Sequence, residues 1–214
     1  MTISRRTLLL CGGLALAVLI YTLWPGRSWA FHNLPPTANG PWIAFGDSLT
    51  QGYGAGNGGY PALLSQKLGV PIQNLGVAGE TTTDGLKRVG EVEAFQPKVV
   101  LLCFGGNDVL QQLPRAKMFE NLGAMIDRFH AQGSFVVLSG IRGLSLLGDR
   151  NADGFEELAE QKRVMLIPNI LDGVIGSAKL MSDHVHPNDA GYAKIAERFE
   201  KELKPLLRKL EAKQ

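Results

Sequence analysis

Between Trp42 and Leu206 the sequence changes period repeatedly, and this limits the fold more than any other feature. Short strand-like apolar runs, Trp42–Phe45, Ile72–Leu75, Lys98–Phe104, Phe135–Leu138 and Val164–Ile167, are separated by stretches with helical spacing. The helical patterns are Tyr60–Leu68, Thr83–Val92, Arg115–Gln132, Ala152–Lys162 and a last one from about Asp189. The second opens on a threonine cluster suited to capping. Arg115–Gln132 places Met118, Leu122, Met125, Ile126 and Phe129 on one face. The last turns Tyr192, Ile195, Phe199, Leu203 and Leu206 inward, and Pro205 should kink or interrupt it. A strand that is apolar at every position is covered on both faces. Strands alternating with helices build βαβ units around a parallel sheet. The expectation is therefore α/β: a three-layer α/β/α sandwich with a five-stranded parallel sheet, flavodoxin-like, in the order 2-1-3-4-5.

The first thirty residues do not fit that alternation. Arg5 and Arg6 precede an uncharged apolar run, Leu8–Trp24. As a helix this run reaches about 25 Å, the short limit for a bilayer span. Basic residues ahead of an apolar stretch at the very start of a chain read as an export signal or membrane anchor, with the body exported and periplasmic. "SRRTLLL" also resembles a twin-arginine signal. Ser28 and Ala30 are small residues at both key positions of a cleavage site, so release after Ala30 and retention as an anchor both remain open. The Pro-, Asn- and Gly-rich stretch 31–41 reads as a linker, which leaves 42–214 as the globular domain.

Of 214 residues, 45% are hydrophobic and 20% charged, enough apolar material for a sizeable core. A net charge of +2 leaves no electrostatic footprint for nucleic acid. Of the two cysteines, Cys11 lies in the apolar run and Cys103 in a predicted buried strand, a placement that makes no disulfide framework.

In an open α/β sheet, ligands bind beyond the carboxyl ends of the strands. Four polar segments fall there. "GDSLT" with Ser48 follows the first strand, "GVAGETT" with Gly79 the second, and "GGND" with Asn107 the third. Past the fifth, before the last helix, comes "SDHVHPND" with Asp183, His184 and His186. Gly, Asp and Asn at one strand end are ordinary turn chemistry. A hydroxyl, amide donors, a carboxylate and an imidazole at neighbouring ends of one sheet are not.

"GDSLTQGYG", "YPALL", "NLGVAGETT", "GGND" and "DHVHPN", in this order, resemble the SGNH hydrolases, or GDSL esterase/lipase family, over about Trp42 to Leu203. They are most similar to its bacterial periplasmic thioesterase, lysophospholipase and arylesterase branch. The resemblance implies a serine esterase acting through an acyl-enzyme, with Ser48 as nucleophile and Asp183 and His186 completing a triad. It further implies an oxyanion hole built from Ser48, Gly79 and Asn107. The substrates implied are small-molecule or lipid esters: acyl esters, lysophospholipid, aryl ester, thioester, or a carbohydrate O-acetyl group. No cofactor and no metal are implied. Glu80 departs from the Asp or Asn more usual beside that glycine, a difference that bears on substrate preference.

Elementary chemistry runs alongside. A serine hydroxyl needs a base to take its proton, and histidine titrates near neutral pH. Asp183 is three residues before His186, close enough to hold the far imidazole nitrogen. Glycine at 79 lets the backbone come close without a Cβ, and Ser48 at the start of its turn is presented rather than buried. Asp47 reads as a brace for the turn, Asp108 as a cap or supporting residue, and Asp189 as the cap of the last helix. His130, near a helix C-terminus, suits the dipole through a partial positive charge. His184 and His186 could face a metal, as in a phosphoesterase, but no third ligand has a distinctive spacing. A non-catalytic scaffold on the same fold would not need the full set of residue types. Leu144, Leu146 and Leu147 would line an acyl pocket or lid, or pack over the sheet edge.

Overall fold

Five short strands lie side by side and all run parallel: β1 (Trp42–Gly46), β2 (Ile72–Gly76), β3 (Val99–Cys103), β4 (Phe135–Ser139) and β5 (Met165–Ile167). Their order is β2-β1-β3-β4-β5, as the alternation predicts. The computed structural model describes residues 30–142 and 151–212. The chain divides after Ala30, and the fold is that of the unit from Phe31 onward. The run Leu8–Trp24, Cys11 and the loop leucines 144, 146 and 147 lie outside the described residues.

Every residue of β1, β3 and β4 is buried. Alternate side chains serve two cores. Trp42, Ala44, Val99, Leu101, Phe135 and Val137 face one layer, formed by α2 (Gly59–Leu68) and α7 (Asp189–Leu203). There Tyr60 stacks on Phe199, with ring centroids 4.8 Å apart. Ile43, Phe45, Val100, Leu102, Val136 and Leu138 face α3 (Thr82–Glu93), α5 (Arg115–Ala131) and α6 (Ala152–Lys162). A strand with two dry faces leaves little place for polar residues, and in these three strands Ser139, at the end of β4, is the polar one.

Two helices are too short for a sequence pattern: α1 (Ser48–Gln51) and α4 (Gly106–Leu110). Helix α3 begins one residue before the predicted start, capped by Thr81 in a capping box with Asp84. Pro205 interrupts the last helix as expected: α7 stops at Leu203, a 3₁₀ turn covers Lys204–Leu206, and α8 (Leu207–Leu210) follows.

The segment read as a linker lies along the domain. His32 N donates to Arg163 O at 2.8 Å and Thr37 N to Gly133 O at 3.0 Å. The Asn33 amide donates to His130 O and Ser134 O, both at 3.0 Å. Among the described residues, no helix is long and apolar enough to cross a membrane.

Candidate active site

Strand register brings the polar segments together. Gly46 pairs with Gly76 on one side and Cys103 on the other, so three strands end in line. Ser48, Gly79 and Asn107 follow within a few residues at that carboxyl edge.

Ser48 opens α1. Asp47 caps this helix, its carboxylate accepting from Leu49 N at 3.0 Å. This is the bracing expected of it. Burial pushes the Asp47 carboxyl up to about 7; the Leu49 amide works against that shift, and Asp108 and Glu80 add to it. Ser48 is only 7% exposed, so it is buried rather than presented. Its side chain nevertheless has a partner: Oγ lies 3.0 Å from His186 Nε2.

His186 and Asp183 sit on a tight turn before α7, closed by the antiparallel bridge between Met181 and Pro187. Asp183 Oδ1 accepts from the amides of Val185 and His186, each at 2.7 Å, and Oδ2 lies 2.8 Å from His186 Nδ1. Burial raises the Asp183 carboxyl, but the bonds from the His186 ring and these two amides outweigh it and bring it down to about 2. It is ionised throughout the neutral range. The Tyr53 ring leans on the His186 ring at 4.6 Å, and Tyr192 Oη donates to Tyr53 O at 2.9 Å.

The side of Gly79 and Asn107 is braced as well. Gly79 has φ +83°, and a Cβ there would meet nothing within 4 Å. The residue is glycine because of this left-handed backbone and not because neighbours crowd it. Asn107 is fixed by its amide, which donates to Glu80 O at 2.8 Å and leaves its second N–H available. Asp108 accepts from Thr82 N at 2.9 Å and Thr82 Oγ1 at 2.6 Å. The Asn121 amide reaches Thr82 Oγ1 and Thr83 Oγ1. Asp108 is thus a supporting residue that ties the start of α3 to α4, while Asn121 ties it to α5.

Sequence reasoning missed Tyr53, Thr82, Asn121 and Arg88, all supporting residues whose role depends on contacts across the fold. It also misplaced two roles. Asn188, not Asp189, caps α7 by accepting from Gly191 N at 3.1 Å. Asp189 instead accepts from Gly56 N and Asn57 N. His130 carries no charge to offer a helix dipole near neutral pH, because burial and the neighbouring His32 lower it to about 4. His184 is exposed. No cluster of three metal-binding side chains occurs among the described residues. Cys103 is a free, buried thiol.

A hydroxyl beside an imidazole at the open edge of such a sheet places the protein among the α/β hydrolytic enzymes. Residues 44–194 match the model of the GDSL-like lipase/acylhydrolase family. The chain is 31% identical to esterase TesA of Pseudomonas aeruginosa, over 94% of this chain and 100% of that one. The crystal structure of TesA superimposes with a TM-score of 0.73 at 30% identity, covering 78% of this chain and 99% of that one. The psychrotrophic esterase EstA from Pseudoalteromonas sp., in a structure inhibited by monoethylphosphonate, gives 0.71 at 26% identity, covering 79% and 100%. The chain belongs to the GDSL-like lipase/acylhydrolase family and is a carboxylic ester hydrolase.

Proposed function

We propose that the protein cleaves carboxylic esters through an acyl-enzyme on Ser48. His186 Nε2 takes the Oγ proton as Oγ attacks the ester carbonyl. Asp183, ionised and bonded to Nδ1, holds the tautomer and stabilises the imidazolium. The carbonyl oxygen becomes an oxyanion, and the amides of Ser48 and Gly79 and the Asn107 side chain donate to it. A donor of this kind is typically worth about 10²–10³ in rate. His186 then protonates the leaving oxygen or sulfur. Water, activated in the same way, releases the acid and restores Ser48. The observation that carries this reading is the continuous line from Asp183 to His186 to Ser48, at 2.8 and 3.0 Å. EstA, inhibited by a phosphonate, is a relative in keeping with a nucleophile of this kind.

The substrate class proposed is acyl esters of small alcohols, phenols or lysophospholipid, with thioesters as further acyl donors. Ser48→Ala should abolish p-nitrophenyl butyrate hydrolysis and labelling by an organophosphonate probe while leaving the circular dichroism spectrum unchanged. Near wild-type turnover in this variant would falsify the assignment.

The body is proposed to work outside the cytoplasm, on the strength of Arg5 and Arg6 ahead of Leu8–Trp24. An alkaline phosphatase fused after Ala30 should be active in bacterial cells. A stable but inactive fusion would count against export, and fractionation separates a cleaved signal from an anchor.

A further inference from the structure

Arg88 makes more contacts than a surface arginine needs. It lies in the second turn of α3, its side chain only 14% exposed. Its guanidinium sits 4.5 Å over the Phe45 ring. Nη2 donates to carbonyls at the ends of two neighbouring strands, Leu75 O, one residue short of the end of β2, at 2.9 Å and Gly46 O, the last of β1, at 3.2 Å. Nε donates to both carboxylate oxygens of Glu80, at 2.8 and 2.6 Å.

These partners stand next to the chemistry. Gly46 is two residues before Ser48. Glu80 follows Gly79 directly, and its backbone carbonyl holds the Asn107 amide. One guanidinium therefore links the strand end that carries Ser48 to the residue joining Gly79 and Asn107. The planar, always-charged fork of arginine suits this task, since it meets several acceptors in fixed directions and lysine does not. The carboxylate of Glu80 is engaged by Arg88, so the unusual residue beside Gly79 acts on the framework of the site.

We infer that Arg88, acting through Glu80, is a positioning residue for the oxyanion hole. It fixes the spacing between Ser48 and the Gly79 and Asn107 donors. This rests on the roles proposed above for those three residues. Donors stabilise an oxyanion only where they are already aimed at the place the charge develops. Cutting the clamp frees Glu80 to turn, loosens its carbonyl from Asn107 and leaves its negative charge uncompensated beside the site. The loss should fall on the transition state rather than on substrate binding.

The test compares Arg88→Met, Arg88→Lys, Glu80→Gln and Glu80→Ala with wild type on p-nitrophenyl butyrate, counting active sites by organophosphonate titration. Arg88→Met should lower kcat per titrated site about 10- to 100-fold, the range of an ångström-scale misplacement, with KM within about twofold. The rate of phosphonylation should fall by the same factor as kcat/KM. Glu80→Gln, which keeps an acceptor for Nε, should lose less than Glu80→Ala, and Arg88→Lys should not restore the rate. A purely structural salt bridge would lower the melting temperature and the titratable fraction, with kcat per site and phosphonylation unchanged; that result overturns the inference. If Arg88→Met does not fold, an unchanged kcat per site in Glu80→Ala overturns it equally. Ser48→Ala is run alongside. Turnover there means the reading of the site has failed, and this inference with it. An inactive Ser48→Ala beside wild-type rates in the Arg88 and Glu80 variants means only this inference has failed.

Discussion

Two histidines stand two residues apart in "DHVHPN", and the structure separates them. His186 bonds to Ser48 Oγ and Asp183 Oδ2, whereas His184 is exposed. His186→Ala should therefore lower turnover by about three to four orders of magnitude or more, the scale seen when a residue of a catalytic triad is lost. His184→Ala should cost less than about tenfold, and chelator should change neither rate. Steady-state kinetics on both variants decide it: equal, severe losses together with chelator sensitivity would make the pair a metal site. The sequence could pick out His186 because Asp183 precedes it by one turn. It could not show how Asp183 is held ionised, since that depends on two amides converging on one carboxylate oxygen. It also expected an exposed Ser48. A turn residue looks exposed on paper, but this one is buried, with the His186 imidazole against its hydroxyl.

At the scale of elements, legibility followed burial. β1, β3 and β4 were plain because both faces are dry, and β2 remained readable at the sheet edge through Ile72 and Leu75 although most of it is partly exposed. Helices α1 and α4 were not legible. At four and five residues they complete barely a turn, yet they carry Ser48 and Asn107. Between β5 and α7 the chain has no long element, so the sequence reading passed over it, although Ile170, Leu171 and Val174 are fully buried. There Arg198 supplies the order that secondary structure does not, donating to the carbonyls of Asn169, Ile170 and Asp172. Asn188 has a similar task. It caps α7, and its amide donates to Lys179 O at 3.0 Å and Met181 O at 3.3 Å. Asn188→Ala should cost about 1–2 kcal/mol by loss of the cap, measured by urea denaturation. Because the same turn carries Asp183 and His186, kcat should fall with it. Asn188→Asp, which keeps the cap acceptor and loses the amide donors, should recover most of the stability. If it recovers none, the cap is not what holds this turn.

The molecule as a whole has two edges with opposite duties. The groups proposed to act on substrate gather at the carboxyl edge of the sheet, and the incoming segment 31–41 fastens near the amino ends of the strands. Phe31 packs edge-on against Phe135 at 5.8 Å, and the His32 ring lies 4.1 Å from the His130 ring. His130 Nε2 is buried without a hydrogen-bond partner. Burial, and then His32, Lys162 and Arg163, lower His130 to about 4, with Asp127 alone pulling upward. An unfolded histidine titrates at about 6.5. The folded protein therefore binds fewer protons than the unfolded chain between these values. The contribution of His130 is fully present above about pH 6.5 and is lost as pH falls through about 4. Asp47 acts in an overlapping window with the opposite sign: its carboxyl is raised in the fold, so its contribution is present at low pH and is lost as pH rises through about 7. The two partly cancel in the wild-type curve, and only a difference between variants isolates either one. His130→Phe keeps a ring against His32 and removes the titration. Its stability relative to wild type, taken from urea midpoints, should improve between pH 7 and pH 4.5, while kcat at neutral pH stays unchanged because this edge is remote from Ser48. The same difference at both pH values would mean that His130 is not the group whose protonation loosens the segment.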